Sequence, residues 1–597
     1  MKLTRISISN FRNFRELDVA LDGNVVIVGE NRVGKSNLLY ALRLIFDPSL
    51  PDSGRQLGQG DFWDGLGEPL EEEKIIVFVE LQEFEEDLDL LAQLTDYRLD
   101  DDPHTVRLSY EFRPIPGLAG SPQSDDDYEF LCYGGESETK RFGHDMRRRL
   151  VMDFLPALRD AEGDLATWRR SPLRPLLERA FATVPAQELK DVRDTVHAAT
   201  NQLGDFPAVQ NLEQQIRALF LSMSGAKQDI GPTLGFGTTD VTRLFRNVRL
   251  LIDDGLRTIG EASQGSANVA FLTLKILEIN QLMSENRRDH SLLAIEEPEA
   301  HLHPHMQRSV YRHLFEGLAG EEADQPLSLL LTTHSPHIAS VAPLRSLVLL
   351  RDTMHNGSVA TSVASVDFTE DEADDLTRYL DVTRAEMLFA RGIVLVEGDA
   401  EKFLLPVFAA SMGHDLDHLG ITVCSVAGTN FKPYVKFLTA LNIPFSVLTD
   451  WDPRGGRIPL GRNRAVEIIR KIVVQRTGAT ANVLVAELKA ITDWDIFDGR
   501  CADYGVYINA DTLEVELFED FIGPVVATLR EHGLSEERKS WVDAWEANPA
   551  SLDPEDYLKL IDAVGKGRFA QRLASRIEGV VPPIYIRAAI TYVVDRV

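Results

Sequence analysis

Polar and apolar residues alternate through "KLTRISISNF" (Lys2–Phe11), the period of a half-buried strand. A short apolar run, "NVVIVG" (Asn24–Gly29), follows, and "SNLLYALRLIF" (Ser36–Phe46) then shifts to helical spacing. Strand-like runs resume with "KIIVFVELQEF", "TVRLSYEF" and "DYEFLCY", separated by Pro, Gly and Asp, between Lys74 and Tyr133. From about Trp168 the pattern turns helical, in "PLLERAFATV", "VQNLEQQIRALFLSM" and "VTRLFRNVRLLI" (Val241–Ile252). A long apolar helix, "SANVAFLTLKILEINQLM", leads into the strands "SLLAIEE" (Ser291–Glu297) and "LSLLLTTHS" (Leu327–Ser335). After Leu380 the strands "GIVLVEG", "ITVCSVAG" and "PFSVLTDWD" alternate with the helices "AEKFLLPVFAAS" and "FKPYVKFLTAL". That alternation predicts a parallel sheet covered on both faces. The end, from Trp541, reads as helical.

Composition narrows this picture. A chain of 597 residues with 44% hydrophobic and 26% charged residues is a multidomain globular protein. No apolar run reaches eighteen residues, so a membrane span is not expected. The start lacks the apolar core of a signal peptide, and Cys132, Cys424 and Cys501 are too scattered for a disulfide framework or zinc site. A reducing cytoplasm is the expected location. The net charge of −31 argues against gripping nucleic acid by bulk charge. Local clusters, "MRRRL" (Met146–Leu150) and "GKGRFAQR" (Gly565–Arg572), are the basic exceptions, and a solvated face explains either equally simply.

"GENRVGKS" (Gly29–Ser36) fits G-x-x-x-x-G-K-[ST] between a strand and a helix. Backbone N–H groups of such a loop wrap phosphates, Lys35 reaches the β/γ-phosphates and Ser36 ligates Mg²⁺. Gly29, Asn31, Gly34, Lys35, Ser36 and Asn37 form the expected ATP-binding set. Glu296 and Glu297 end an apolar strand; Glu296 would hold Mg²⁺ through water and Glu297 would orient the attacking water. His334 ends the next strand, where an imidazole can sense the γ-phosphate.

A second acidic cluster lies downstream. Glu397 ends one predicted strand, and Asp450 and Asp452 end another, so they meet at the carboxyl edge of a parallel sheet. Asp399 suits a helix cap, and Glu401 lies in the first turn, directed back to that edge. Strand alternation puts Asp450 and Asp452 on one side and Trp451 on the other. Converging carboxylates without compensating Lys or Arg require cations, and hard oxygen ligands select Mg²⁺, Mn²⁺ or Ca²⁺.

The nucleotide residues resemble ABC-type ATPases of the RecF and SMC kind. That resemblance makes "SQGS" (Ser263–Ser266) a signature loop and implies a homodimer closed by ATP. Glu296 stands where Asp is usual, the signature is degenerate, and Gln56 and Gln59 are the nearest glutamine-loop residues. The acidic cluster resembles the Toprim domain. An ABC-type ATPase joined to a Toprim domain resembles the OLD (overcoming lysogenization defect) family over nearly the whole chain, in its two-metal class 2 form.

The implied fold is α/β. An ABC-type P-loop ATPase domain with a helical insertion is followed by a Toprim parallel-sheet domain and a helical C-terminal segment. Its parts are residues 1–165 and 253–380 for the ATPase, 166–252 for the insertion and possible dimerisation region, 381–540 for Toprim and 541–597 for the last helices. The resemblance further implies Glu514, with Glu516 as second choice, as a ligand in "NADTLEVELF", and Lys566 in "VGKGRFAQ" as a catalytic lysine. The expected activity is two-metal cleavage of DNA with slow or regulatory ATP hydrolysis, in repair or phage defence, with a helicase-type protein as a possible partner. Two rivals share these motifs: an ATP-gated DNA clamp with a structural Toprim part, and a topoisomerase using Tyr434 or Tyr504.

Overall fold

The structure, a computed structural model, describes residues 1–67, 70, 73–118, 120–224, 231–234, 245–246, 248–318, 327–353, 356–453 and 457–597. In chain order the strands are β1 (Lys2–Phe11), β2 (Phe14–Ala20), β3 (Val25–Gly29), β4 (Ile75–Gln82), β5 (Val106–Pro114), β6 (Tyr128–Gly134), β7 (Leu150–Leu155), β8 (Leu251–Ile252), β9 (Arg257–Thr258), β10 (His290–Glu296), β11 (Leu327–Thr333), β12 (Leu347–Thr353), β13 (Gly357–Ser362), β14 (Gly392–Val396), β15 (Ile421–Ser425), β16 (Phe445–Thr449) and β17 (Val506–Ile508). The helices that carry functional groups are α1 (Lys35–Phe46), α2 (Gln264–Ser284), α3 (Asp399–Ser411), α4 (Leu460–Thr477), α5 (Leu513–Asp520), α6 (Pro554–Val564), α7 (Lys566–Ala574) and α8 (Ile584–Val594).

Eleven strands form one mixed sheet in the order β6-β5-β4-β1-β2-β13-β12-β3-β11-β10-β7. The β12-β3-β11-β10-β7 side is parallel, and the β6-to-β13 side is antiparallel. Residue pattern explains the division. Every residue of β3 and β11 is buried, as two-sided covering demands, whereas β2 alternates buried and exposed positions and turns one face to water. The expected helix over Val241–Ile252 falls partly outside the described residues. Its described end is a strand instead, because Leu251–Ile252 pairs antiparallel with Arg257–Thr258.

The second sheet, β15-β14-β16-β17, is wholly parallel. Strand periodicity splits β14 between two cores. Ile393 and Leu395 join a cluster that reaches Val26 and Leu293 of the large sheet, while Val394 and Val396 join one with Phe408, Tyr557, Phe569 and Ile590. Residues 541–597 thus share a core with the small sheet; α8 packs so close that a Cβ on Gly392 would lie 2.5 Å from Val593 Cγ1.

Polar contacts join the two sheets as well. Arg351 of β12 donates to the carbonyls of Arg391 (2.7 Å) and Asn442 (3.1 Å). Arg391, one residue before β14, donates to both carboxylate oxygens of Glu30 at 2.7 and 2.9 Å. No helix among the described residues is long and apolar enough to cross a membrane.

Candidate active sites

The loop between β3 and α1 is shaped by two glycines. Gly34 has φ +94°, and a Cβ there would fall 2.0 Å from the Asn13 amide. A Cβ on Gly29 would meet the Leu350 carbonyl at 2.5 Å. Lys35 turns back onto this loop, its Nζ donating to the carbonyls of Glu30 (2.7 Å) and Gly29 (3.0 Å). Burial lowers its pKa to about 8, against the opposing pull of Glu297, Glu299 and Glu296. Ser36 Oγ donates to Glu296 Oε1, and His334 Nδ1 lies 3.4 Å from Lys35 Nζ. Glu297, held at φ +43°, places Oε1 3.4 Å from His334 Nε2. Lys35, Ser36, Glu296, Glu297 and His334 therefore meet around one space at the carboxyl ends of β10 and β11.

The other expected nucleotide residues differ in setting. Asn37 faces inward, donating to Asn13 Oδ1 (2.7 Å) and accepting from Arg12 (2.8 Å), so it braces the N-terminal hairpin. Asn31 is exposed on the loop. Ser263 caps α2, accepting from Ser266 N at 3.2 Å, and stays exposed at the end of a 21-residue helix. Gln56 spends its amide on the Tyr128 carbonyl at 2.8 Å. Glu299 has no counterpart in the sequence reading; it fixes the His334 loop by accepting from His334 N (2.6 Å) and Thr333 Oγ1 (2.9 Å).

Replacing Lys35 by Ala is expected to weaken ATP binding by about 100-fold, because the loop then lacks its charge-assisted donor. Titration with a fluorescent ATP analogue reads this directly, and the melting temperature should stay within a few degrees of the parent.

The second site forms at the carboxyl edge of the small sheet. Glu397 follows β14, and its Oε1 accepts from Thr449 Oγ1 (2.6 Å), Asp450 N (3.0 Å) and Arg464. Asp450 Oδ1 accepts from the Asn509 amide and from Leu513 N (3.1 Å). Glu514, 3% exposed, faces Lys566 Nζ with Oε1 at 3.1 Å; its Oε2 is buried without a hydrogen-bond partner. Lys566 is brought there by the α6–α7 junction, where Gly565 takes φ +93°. Burial, and then Glu514 and Glu397, push Glu401 up to about 7. Asp450 is raised well above the usual range by burial and by Glu397, Glu401 and Glu514.

Glu397, Glu401, Asp450, Glu514 and Lys566 are thus brought together. Asp452 is placed differently from the strand-based expectation. β16 stops at Thr449, so Asp450 to Asp452 form a loop rather than a continued strand. Asp452 takes φ +50° and turns its carboxylate to Arg464 Nη2 at 2.6 Å. Trp451 packs edge-on against Trp494, ring centroids 4.4 Å apart. Asp399 follows the helix cap, which is Gly398. Glu516 accepts from Ala510 N and steadies the Asn509 loop. The expectation that no Lys or Arg compensates the carboxylates is corrected by Arg464. It lies in a helix, where nothing in its sequence context separates it from a solvated arginine.

Among the described residues no three His, Cys, Asp or Glu side chains already stand in a metal-holding arrangement. The chemistry of the cluster still fits a divalent cation. Glu514 Oε2, buried without a hydrogen-bond partner, beside the buried Glu401 and Asp450 carboxyl groups makes the all-oxygen donor set that a hard cation takes. This gives a signed pH dependence. The neutral Glu401 stabilises the fold fully below about pH 4.5, and that stability, on the order of 3 kcal/mol, is lost as pH rises through about 7. In EDTA, Glu401→Gln should therefore melt higher than the parent at pH 8 and equally at pH 4.5. Differential scanning calorimetry at the two pH values checks it.

The family described as "AAA ATPase domain" matches residues 1–151 and 181–339, more than half of the chain. "Overcoming lysogenization defect protein-like, TOPRIM domain" matches residues 388–452, the stretch from Leu388 through Glu397 and Glu401 to Asp452. The chain belongs to the OLD family. Among its relatives are the OLD nuclease of Thermus scotoductus, 26% identical over 75% of this chain and 82% of that protein, and Endonuclease GajA of Bacillus cereus, 23% identical over 79% of each. A solved structure, the C-terminal region of the Burkholderia pseudomallei OLD protein, is 41% identical, covers 35% of this chain and 98% of that one, and has a TM-score of 0.29. In this OLD-family chain the ATPase domain supplies the Lys35 site and the Toprim domain the Glu397–Asp450 site.

Proposed function

We propose that this protein is an ATP-binding, divalent-metal-dependent DNA nuclease that cuts phosphodiester bonds at the Toprim edge. The observation that carries this is the meeting of Glu397, Glu401, Asp450 and Glu514 with Lys566 beside the partnerless Glu514 oxygen. Bound Mg²⁺ or Mn²⁺ would activate water and stabilise the departing 3′ oxygen. Glu401, Asp450 and Glu514 would hold one cation, with Glu397 and Asp452 at the second position. Glu397 is oriented by Thr449 and the Asp450 amide, both of which donate to its Oε1. Lys566, half-exposed, would meet the scissile phosphate and neutralise its developing charge. The names of the relatives, a nuclease and an endonuclease, agree with this reading.

ATP would bind at Lys35 and Ser36, with Glu296 beside Mg²⁺ and Glu297 orienting water. The exposed Ser263 end of α2 suits closure over the nucleotide of a second copy, and the exposed Leu212, Ile216, Leu219 and Met223 would widen that homodimer. The three free, buried cysteines suit a reducing cytoplasm. DNA repair or phage defence is the proposed setting; a helicase-type gene beside this one would favour a two-component defence system.

The test is nicking of supercoiled plasmid by the full chain with Mn²⁺, with EDTA, and with the Asp450→Ala/Asp452→Ala variant. Cleavage should need Mn²⁺ and vanish in the variant. Cleavage that survives the double substitution overturns the metal-site assignment, and no cleavage under any condition favours the ATP-gated clamp.

A further inference from the structure

The carboxylate cluster already contains an arginine, and it is unevenly placed. Arg464, with its side chain 12% exposed, sits one turn into α4. One guanidinium nitrogen donates to Glu397 Oε1, to Thr449 Oγ1 (2.5 Å) and to the Asp450 carbonyl (3.3 Å); another donates to Asp452 Oδ2 (2.6 Å). It therefore spans the Glu397–Asp452 edge. Among the described residues no arginine pairs with a carboxylate of the Glu401–Asp450–Glu514 basin; Lys566 contacts Glu514 Oε1, and Glu514 Oε2 has no hydrogen-bond partner.

The helix that carries Arg464 is fixed to the same loop. Gly461 lies so close that a Cβ would stand 2.1 Å from the Asp450 carbonyl and 2.8 Å from Trp451 Cα. Gly461 N donates to Trp451 O at 2.9 Å and Leu460 N to Asp452 O at 3.3 Å. With the backbone held at that distance, side-chain rotation separates the guanidinium from Glu397 and Asp452 without moving the helix. A guanidinium stays charged at every physiological pH and repels an adjacent dication.

We infer that Arg464 is a positioning residue that makes the two cation positions unequal, an inference that rests on the nuclease reading above. The first divalent ion enters the Glu401–Asp450–Glu514 basin directly. The second reaches the Glu397–Asp452 edge only by displacing the guanidinium, which until then holds both carboxylates in place. Metal loading is therefore ordered, and the edge beside the D-x-D loop is the weaker half.

The experiment counts free Mn²⁺ by electron paramagnetic resonance during titration of the nucleotide-free full chain. The parent should bind Mn²⁺ in two steps, the second at least about tenfold weaker, from a unit charge a few ångströms away. Arg464→Gln should bring the second step to within about threefold of the first, a gain of affinity that a merely structural lesion does not produce. Arg464→Lys, which keeps the charge, should retain the gap. Two equal steps in the parent, or a gap unchanged in Arg464→Gln, overturns the inference while leaving the nuclease reading intact. If Arg464→Gln does not fold, a gap that closes in Arg464→Lys overturns it. A parent that takes up no Mn²⁺ at all, like its Asp450→Asn variant, defeats the nuclease reading itself.

Discussion

Asp450→Asn should reduce DNA cleavage by about 1,000-fold or more, equivalent to roughly 4 kcal/mol of barrier. Three features of Asp450 argue for so large a loss. It lies between Glu397, Glu401 and Glu514, so it can serve both cation positions. Its Oδ1 is already held by Asn509 and Leu513 N, which fixes the orientation of the carboxylate. Its burial means that the replaced negative charge is nowhere compensated by solvent. Asparagine keeps the shape and one acceptor, so the fold and ATP binding should persist. Nicking rates under single-turnover conditions, with ATP affinity measured in parallel, separate a lost site from a lost fold.

The second large effect is expected at Lys566. Lys566→Ala should lower the cleavage rate by about 100- to 1,000-fold, the usual cost of removing one donor aimed at developing charge. Its Nζ contacts Glu514 at 3.1 Å, yet the side chain remains half-exposed and able to reach a substrate phosphate. The loss should therefore fall on the rate at saturating metal, not on metal affinity. Removing a positive charge beside Glu514 should, if anything, tighten Mn²⁺ binding slightly. A variant that loses Mn²⁺ affinity in proportion to activity would make Lys566 a structural partner of Glu514 instead.

The two acidic sites were legible to different depths, for physical reasons. The phosphate loop was plain because backbone wrapping demands glycine at fixed spacing, and Gly34 can tolerate no Cβ beside Asn13. Asn37 fits the same loop but serves the hairpin, since a helix position does not declare which neighbour it faces. The edge carrying Glu397 and Asp450 followed from buried five-residue strands, β14 and β16, each followed directly by a carboxylate. Where β16 stops could not be read, because "TDWD" keeps an alternating pattern after the hydrogen-bonded ladder has ended. That is why Asp452 turns to Arg464 rather than to Asp450. Arg464 and Asn509 were invisible for a common reason: their function is a hydrogen bond across 67 and 59 residues of chain, with no local periodicity to mark it. The union of residues 541–597 with the small sheet was equally hidden, being a matter of tertiary packing between α8 and β14.

The account stands on cations being captured where the Toprim carboxylates meet. Anomalous diffraction at the manganese edge, from crystals of the full chain soaked in Mn²⁺, tests this most directly. The expected map has a strong peak among Glu401, Asp450 and Glu514, joined at higher Mn²⁺ by a second beside Glu397 and Asp452. A map with no peak at that edge, from crystals that remain ordered, would contradict it.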